Sequence, residues 1–165
     1  DKAGLITYAD KIGTMLPAER SAGQMRRIQE SLYNQRTHFK EANFELLYQS
    51  LRKSVSSRSL LVLFTNFETE FSMRRALPML RQLNKKHVLV VVFFENSELQ
   101  DLAYQPSRSI HEVYQSAVAE RMMSLKSRIA QELRRNGIQT VLTLPNELSI
   151  NTINKYLELK AKGAV

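Results

Sequence analysis

The 165-residue chain has no cysteine and no tryptophan, and only five glycines and four prolines. Without cysteine there is no disulfide scaffold, no thiolate zinc site and no cysteine nucleophile, while the redox compartment stays undetermined. The glycines (Gly4, Gly13, Gly23, Gly137 and Gly163) stand far apart, so they assemble neither a phosphate-cradling loop nor a dinucleotide-binding fingerprint. No Gly-x-Ser-x-Gly nucleophile elbow is present. His38, His87 and His111 have no ligand spacing, and no His-Glu-x-x-His occurs. His87 opens an apolar run and reads as a structural residue, and His111 reads as first-turn helix surface. The longest wholly apolar run, Val88–Phe94, is far too short to span a bilayer, and no signal peptide is evident.

The composition that remains is 43% hydrophobic and 24% charged, ordinary for a folded domain and unlike a disordered segment. Lys and Arg number 24 against 16 Asp and Glu, a net charge of +8. The basic residues fall in doublets (Arg26-Arg27, Arg52-Lys53, Arg74-Arg75, Lys85-Lys86, Arg134-Arg135) on separate helical stretches. No run reaches the five or six like charges of a basic tail. The charge therefore reads as solvated helix surface with a weak general attraction for polyanions.

Apolar periodicity alternates between strand and helix. Residues 4–8 and 12–16 form a hairpin that stops at Pro17. Met25, Ile28 and Leu32 predict a helix over 22–33, and Phe44, Leu47, Leu51 and Val55 predict another. Residues 60–64 and 88–94 are apolar at every position, as in strands buried on both faces. Helices are predicted over 72–83, with Pro78 breaking or kinking the pattern, and over 97–104. The stripe Tyr114, Val118, Met122, Leu125, Ile129, Leu133 predicts one long helix over 110–135 that ends at Asn136-Gly137. Residues 138–144 form the last strand, and Asn146 or Ser149 caps a final helix to about Lys160. This alternation predicts an α/β fold: a mostly parallel sheet flanked by helices on both faces. With no repeat, low-complexity tract or linker, residues 1–165 read as one domain.

In open α/β sheets ligands bind beyond the carboxyl ends of the strands. Those ends carry Asp10, Thr65-Asn66, Glu95-Asn96 and Pro145-Asn146, all residue types that also favour turns and caps. The sharpest position is Asn66, directly after an apolar strand and followed by Glu68 and Glu70. An oxygen-rich group of this kind suits Mg²⁺, and equally a solvated loop.

Four segments share their order with a known group: Gly-Leu-Ile-Thr-Tyr-Ala-Asp (4–10), Arg-Ser-Leu-Leu-Val-Leu-Phe-Thr-Asn-Phe (58–67), His-Val-Leu-Val-Val-Val (87–92) and Tyr-Leu-Glu-Leu-Lys-Ala-Lys-Gly (156–163). The chain resembles the bacterial "domain of unknown function 58" family, whose members contain a von Willebrand factor A-like domain. The likeness extends over nearly the whole chain. It implies a doubly wound sheet and, in the wider superfamily, a metal-ion-dependent adhesion site. There an Asp-x-Ser-x-Ser loop, a Thr and an Asp hold a divalent ion that binds a partner's carboxylate without catalysis.

This sequence departs from that pattern twice. It has no Asp-x-Ser-x-Ser; Gln105-x-Ser107-x-Ser109 has the wrong first residue and follows a helix. The chain also enters a strand pattern at once and lacks an initiator Met, so it is read as truncated at its N-terminal side. The first strand and its metal-site loop are then expected upstream. Second, Asn66 stands at the position of the family's aspartate, and the lost charge weakens hard-cation binding. Thr37 is a candidate for the second-loop Thr. No tightly bound cofactor is expected in this chain, with Asn66 a degenerate metal candidate and Mg²⁺ reserved for a longer protein. Removing a central first strand would leave two apolar strand edges unpaired, so a rearrangement or a homodimer is expected.

The function this implies is a non-enzymatic protein-interaction module, an accessory to a MoxR-type AAA ATPase in protein assembly or maturation. Its expected partner-binding face is made of Thr65, Asn66, Glu68 and Asp10. It is expected in the cytoplasm, or on the cytoplasmic face of a membrane if upstream segments anchor it. One alternative is a nucleic-acid-binding domain drawing on the +8 charge, although no recognition-helix motif or stacking strip accompanies it. Another is a Mg²⁺-dependent phosphate enzyme using Asp10, Asn66 and Glu68, which lacks a base and a phosphate cradle.

Overall fold

A computed structural model describes residues 1–36, 40–104, 106 and 109–164. The chain divides into two compact units, Asp1–Ser56 and Ser57–Val165.

The first unit opens with β1 (Ala3–Tyr8) and β2 (Ile12–Glu19), an antiparallel pair with Leu5 opposite Leu16 and Ile6 opposite Met15. β2 does not stop at Pro17 but runs on to place Glu19 opposite Ala3. Both strands of a two-stranded sheet are edges, so the missing N–H of Pro17 interrupts no central ladder. The strands close so tightly at Gly4 that a Cβ there would lie 2.8 Å from the Leu16 carbonyl oxygen. Gln24, the first residue of α1 (Gln24–Tyr33), is buried. Its Nε2 donates to the carbonyls of Ala3 and Pro17, both at 2.8 Å, and ties the open end of the hairpin to the helix. Of the apolar residues that predict α1, Ile28 is half-buried, whereas Met25 and Leu32 are exposed. In α2 (Phe44–Ser54) Asn43 caps the helix, its Oδ1 accepting from the Leu46 N–H at 3.0 Å, and Leu47 and Leu51 are buried.

The second unit is an α/β layer structure. β3 (Leu60–Phe64), β4 (Val88–Phe94) and β5 (Gln139–Thr143) form a parallel sheet in the order β3-β4-β5. The register sets Val90 beside Val62 and Gln139. Between the strands run α3 (Glu70–Lys86), α4 (Ser97–Tyr104) and α5 (Ile110–Arg135). A 3₁₀ turn (Pro145–Glu147) leads into α6 (Leu148–Ala161). Successive strand residues point to opposite faces. Val88, Val90 and Val92 of β4 therefore pack with Val141 and with Leu159 of α6 on one face, and Leu60 and Leu148 close that cluster. Leu89, Val91 and Phe93 are buried on the other face, where α3 supplies Met73, Ala76, Leu80 and Leu83 and α5 supplies Ile129 and Leu133. Asn84 of α3 clasps this layer: its Oδ1 accepts from the Leu89 N–H at 3.2 Å and its Nδ2 donates to the Gly137 carbonyl at 3.0 Å. Gly137 adopts φ 77°, the left-handed residue that turns α5 into β5.

Several sequence expectations change in the structure. Burial on both faces holds for β4 but not for β3, whose Val62 and Phe64 are exposed. β3 is an outer strand, and its far edge pairs with no strand among the described residues. α3 begins earlier than its apolar pattern because Thr69 and Ser72 form a reciprocal capping box. Pro78 does not interrupt it; the residue lies on the exposed side of the helix, where water can serve the carbonyl left without a donor. Neither Asn146 nor Ser149 caps α6, which instead grows out of the 3₁₀ turn with Glu147 at the cap position.

His87 is buried at the junction of α3 and β4, and its Nδ1 has no hydrogen-bond partner among the described residues. Burial, with Lys86 adjacent, holds its pKa below the ordinary 6.5. The unfolded chain therefore takes up the proton first as pH falls. This histidine costs nothing above about 6.5 and destabilises the fold progressively below it. In thermal melts at stepped pH, His87→Phe is expected to lose less stability on acidification than wild type. Ile129→Ala, which empties a fully buried position, is expected to cost about 2–5 kcal/mol in denaturant titration.

Candidate functional site

Three parallel strands bring three carboxyl ends to one border of the sheet: Thr65-Asn66 after β3, Glu95-Asn96 after β4 and Leu144-Pro145-Asn146 after β5. Much of this border is locked by the backbone and by caps. The Thr65 N–H donates to the Val92 carbonyl at 3.1 Å and the Glu95 N–H to the Thr143 carbonyl at 3.0 Å, prolonging both ladders. Asn96 Oδ1 accepts from the Glu98 N–H at 2.9 Å and turns the chain into α4. Asn151 of α6 donates to Thr143 Oγ1 at 2.7 Å.

The loop after β3 is organised by a residue the sequence did not single out. Lys126, in the middle of α5, donates from Nζ to Asn66 Oδ1 and to the Phe67 carbonyl, the second at 2.7 Å. Phe67 is buried and stacks edge-on against Phe93, ring centroids 6.3 Å apart, so the loop is pinned from below by an aromatic contact and from above by an ammonium. Two residues further along α5, Arg128 pairs with Glu70 at 3.5 Å, and Arg74 approaches the same carboxylate at 3.7 Å. Lys126 is half-buried, and desolvation lowers its pKa below the ordinary 10.5 against the opposing pull of Glu68. Glu68 itself is exposed. The oxygen acceptors expected to face a hard cation thus face a side-chain cation. Among the described residues no group of three or more acidic or histidine side chains is arranged around a common point.

Asp10 belongs to the first unit, in the turn between β1 and β2. There Lys40 pairs with its Oδ2 at 2.9 Å and holds the carboxyl below the usual carboxylate range. Thr65, Asn66 and Glu68 stand together at the end of β3. Thr37, His38, Gln105 and Ser107 lie outside the described residues. Ser109 caps α5, accepting from the Glu112 N–H at 3.2 Å, and His111 is exposed in the first turn that follows.

The wall beside this border comes from the length of α5. Its 26 residues span about 39 Å, against about 17–23 Å for strands of five to seven residues. Because its carboxyl end turns directly into β5, its amino-terminal half extends past the strand ends. The predicted core stripe is therefore buried only where the sheet lies beneath it. Ile129 and Leu133 are fully covered, whereas Met122, Val118 and Tyr114 are 47%, 39% and 68% exposed. α4 covers a different side of this overhang, with Ala103 and Ala119 buried and Ser116 Oγ donating to the Ala103 carbonyl at 3.1 Å. The result is an exposed apolar strip that begins one helical turn before Lys126. Periodicity alone could not find this strip, because it is the same on both sides of the point where the sheet ends.

No family model, no curated protein and no solved structure matches the chain.

A lysine whose folded-state pKa is depressed binds protons less readily than the unfolded chain. Its contribution to stability therefore rises with pH through the range between the depressed value and 10.5. Wild type is expected to gain stability relative to Lys126→Met as pH is raised through that range, read by denaturant titration. Asn66→Asp, which sets a carboxylate against the ammonium, is expected to flatten the same slope.

Proposed function

We propose that the chain is a non-enzymatic protein-interaction module with the doubly wound organisation of von Willebrand factor A-like domains, using the carboxyl border of its sheet as the docking face. The observation that carries this reading is the uncovered strip Tyr114–Val118–Met122 beside the strand ends. Aromatic residues and methionine are over-represented at interface centres, and exposed apolar side chains grouped next to a ligand-binding border mark contact surfaces. The likeness of residues 58–67, 87–92 and 156–163 to the bacterial family supports the same reading. It suggests a MoxR-type AAA ATPase as the partner, in the assembly or maturation of other proteins. The site of action would be the cytoplasm or the cytoplasmic face of a membrane. Among the described residues no helix is long and apolar enough to cross a membrane.

A second reading has its own observation. The solvent side of α3 carries Arg74, Arg81 and Lys85 around a surface groove of about 310 Å³ that Leu77 and Pro78 also line. Such a row favours a polyanion, and binding through it would weaken steeply with salt.

The two readings separate in one set of binding measurements. Met122→Asp changes an exposed side chain, so its melting temperature is expected to stay near wild type. Its affinity for a purified MoxR-type ATPase, measured by surface plasmon resonance, is expected to fall at least about tenfold. Absence of binding by wild type, or an unchanged affinity in the variant, would overturn the docking reading. Salt-sensitive binding of duplex DNA that disappears in Arg81→Glu/Lys85→Glu would establish the second.

A further inference from the structure

Lys126 does more than hold the loop after β3. We propose that its ammonium anchors a carboxylate of the docking partner, a glutamate-length acidic side chain flanked by apolar residues; this rests on the reading of the strand-end border as the docking face. An ammonium has three N–H donors. Two are committed to Asn66 Oδ1 and the Phe67 carbonyl, and among the described residues no acceptor takes the third. Both acceptors belong to a loop locked by the Thr65–Val92 ladder bond and by the Phe67–Phe93 contact, so the charge is held at a defined point instead of sweeping through solvent. Both are also neutral, so their hydrogen bonds orient the positive charge without neutralising it. Glu68 lies near enough to favour the ammonium, yet accepts no hydrogen bond from it and is exposed enough to swing away.

The surroundings select the ligand. Half-burial weakens competition from water, so a carboxylate gains more here than at a fully exposed lysine. Met122 precedes Lys126 by one turn on the same side of α5, so the aliphatic stem of a glutamate reaching the ammonium would lie along the methionine. Val118 and Tyr114 continue the apolar contact for neighbouring residues of the partner. A phosphate dianion suits the place less well, because a single ammonium offers no bidentate fork.

The test uses the full chain and two peptides, acetyl-Leu-Glu-Leu-amide and acetyl-Leu-Gln-Leu-amide, titrated by NMR. The readouts are the Asn66 side-chain amide and the Met122 methyl. The glutamate peptide is expected to move both signals and to bind about tenfold tighter than the glutamine peptide, the usual scale for a hydrogen bond to a charged group. Lys126→Gln is expected to abolish the preference, and Glu68→Gln to enlarge it. The comparison of the two peptides on wild type needs no variant to fold. Equal binding of the two peptides with the Met122 methyl still shifting, or a preference that survives Lys126→Gln, would overturn the carboxylate anchor and leave the docking face standing. No shift at Met122 with either peptide would overturn both.

Discussion

The second unit depends on a mismatch of lengths. A helix rises 1.5 Å per residue and a strand more than twice that, yet α5 has 26 residues and the strand it feeds has five. The carboxyl half of α5 is fixed by the sheet, through Ile129 and Leu133 against the buried face and through the left-handed turn at Gly137. Among the described residues of this unit, the amino-terminal half packs against α4. The same apolar stripe that builds the core in one half becomes an exposed strip in the other. The exposed strip is thus a consequence of how the core is built.

Lys126 sits where these two halves meet. It is far enough along α5 to be half-buried by the sheet's border, and near enough to the overhang to share a side of the helix with Met122. Its hydrogen bonds join the longest helix to the loop after β3, and Arg128 with Glu70 makes a second link close by. Together they hold the strand-end loop by side-chain charge and one aromatic contact. A surface ion pair of this kind contributes little alone. The desolvated ammonium matters more, because its charge is partly shielded from water and its direction is set.

Charge elsewhere is arranged without such precision. Lys155 and Lys162 bracket Glu158 on α6, at 2.9 and 2.6 Å, and bring its carboxyl down to about 2. Glu158 and Lys162 are exposed and Lys155 is half-buried, and their pairing is local to the carboxyl end of one helix. The row on α3 is different, since Arg81 and Lys85 line a groove together with Leu77 and Pro78. There part of the +8 excess borders a groove.

Local pattern was enough to find β3, β4 and β5, the whole of α5, the turn at Gly137 and the helical character of residues 24–33 and 44–54. These follow from apolar periodicity and from turn residues acting over a few positions. Pro17 and Pro78 misled because a proline's effect depends on whether its missing N–H was needed, and that is decided by the neighbouring strand or by solvent. The exposure of Val62, Phe64, Met25 and Leu32 was not legible, because an apolar side chain looks the same in a sequence whether or not another layer covers it. Asn66 could be singled out by its place after an apolar strand. Lys126, 60 positions away, could not, since only the packing of α5 along the sheet brings the two together. The elements and the α/β layering are set by forces between near neighbours and by the burial of apolar stripes, so both are readable in the order of residues. Tertiary structure alone decided which stripe runs off the end of the sheet and which cation meets Asn66, because both depend on the relative lengths and register of segments far apart in the chain.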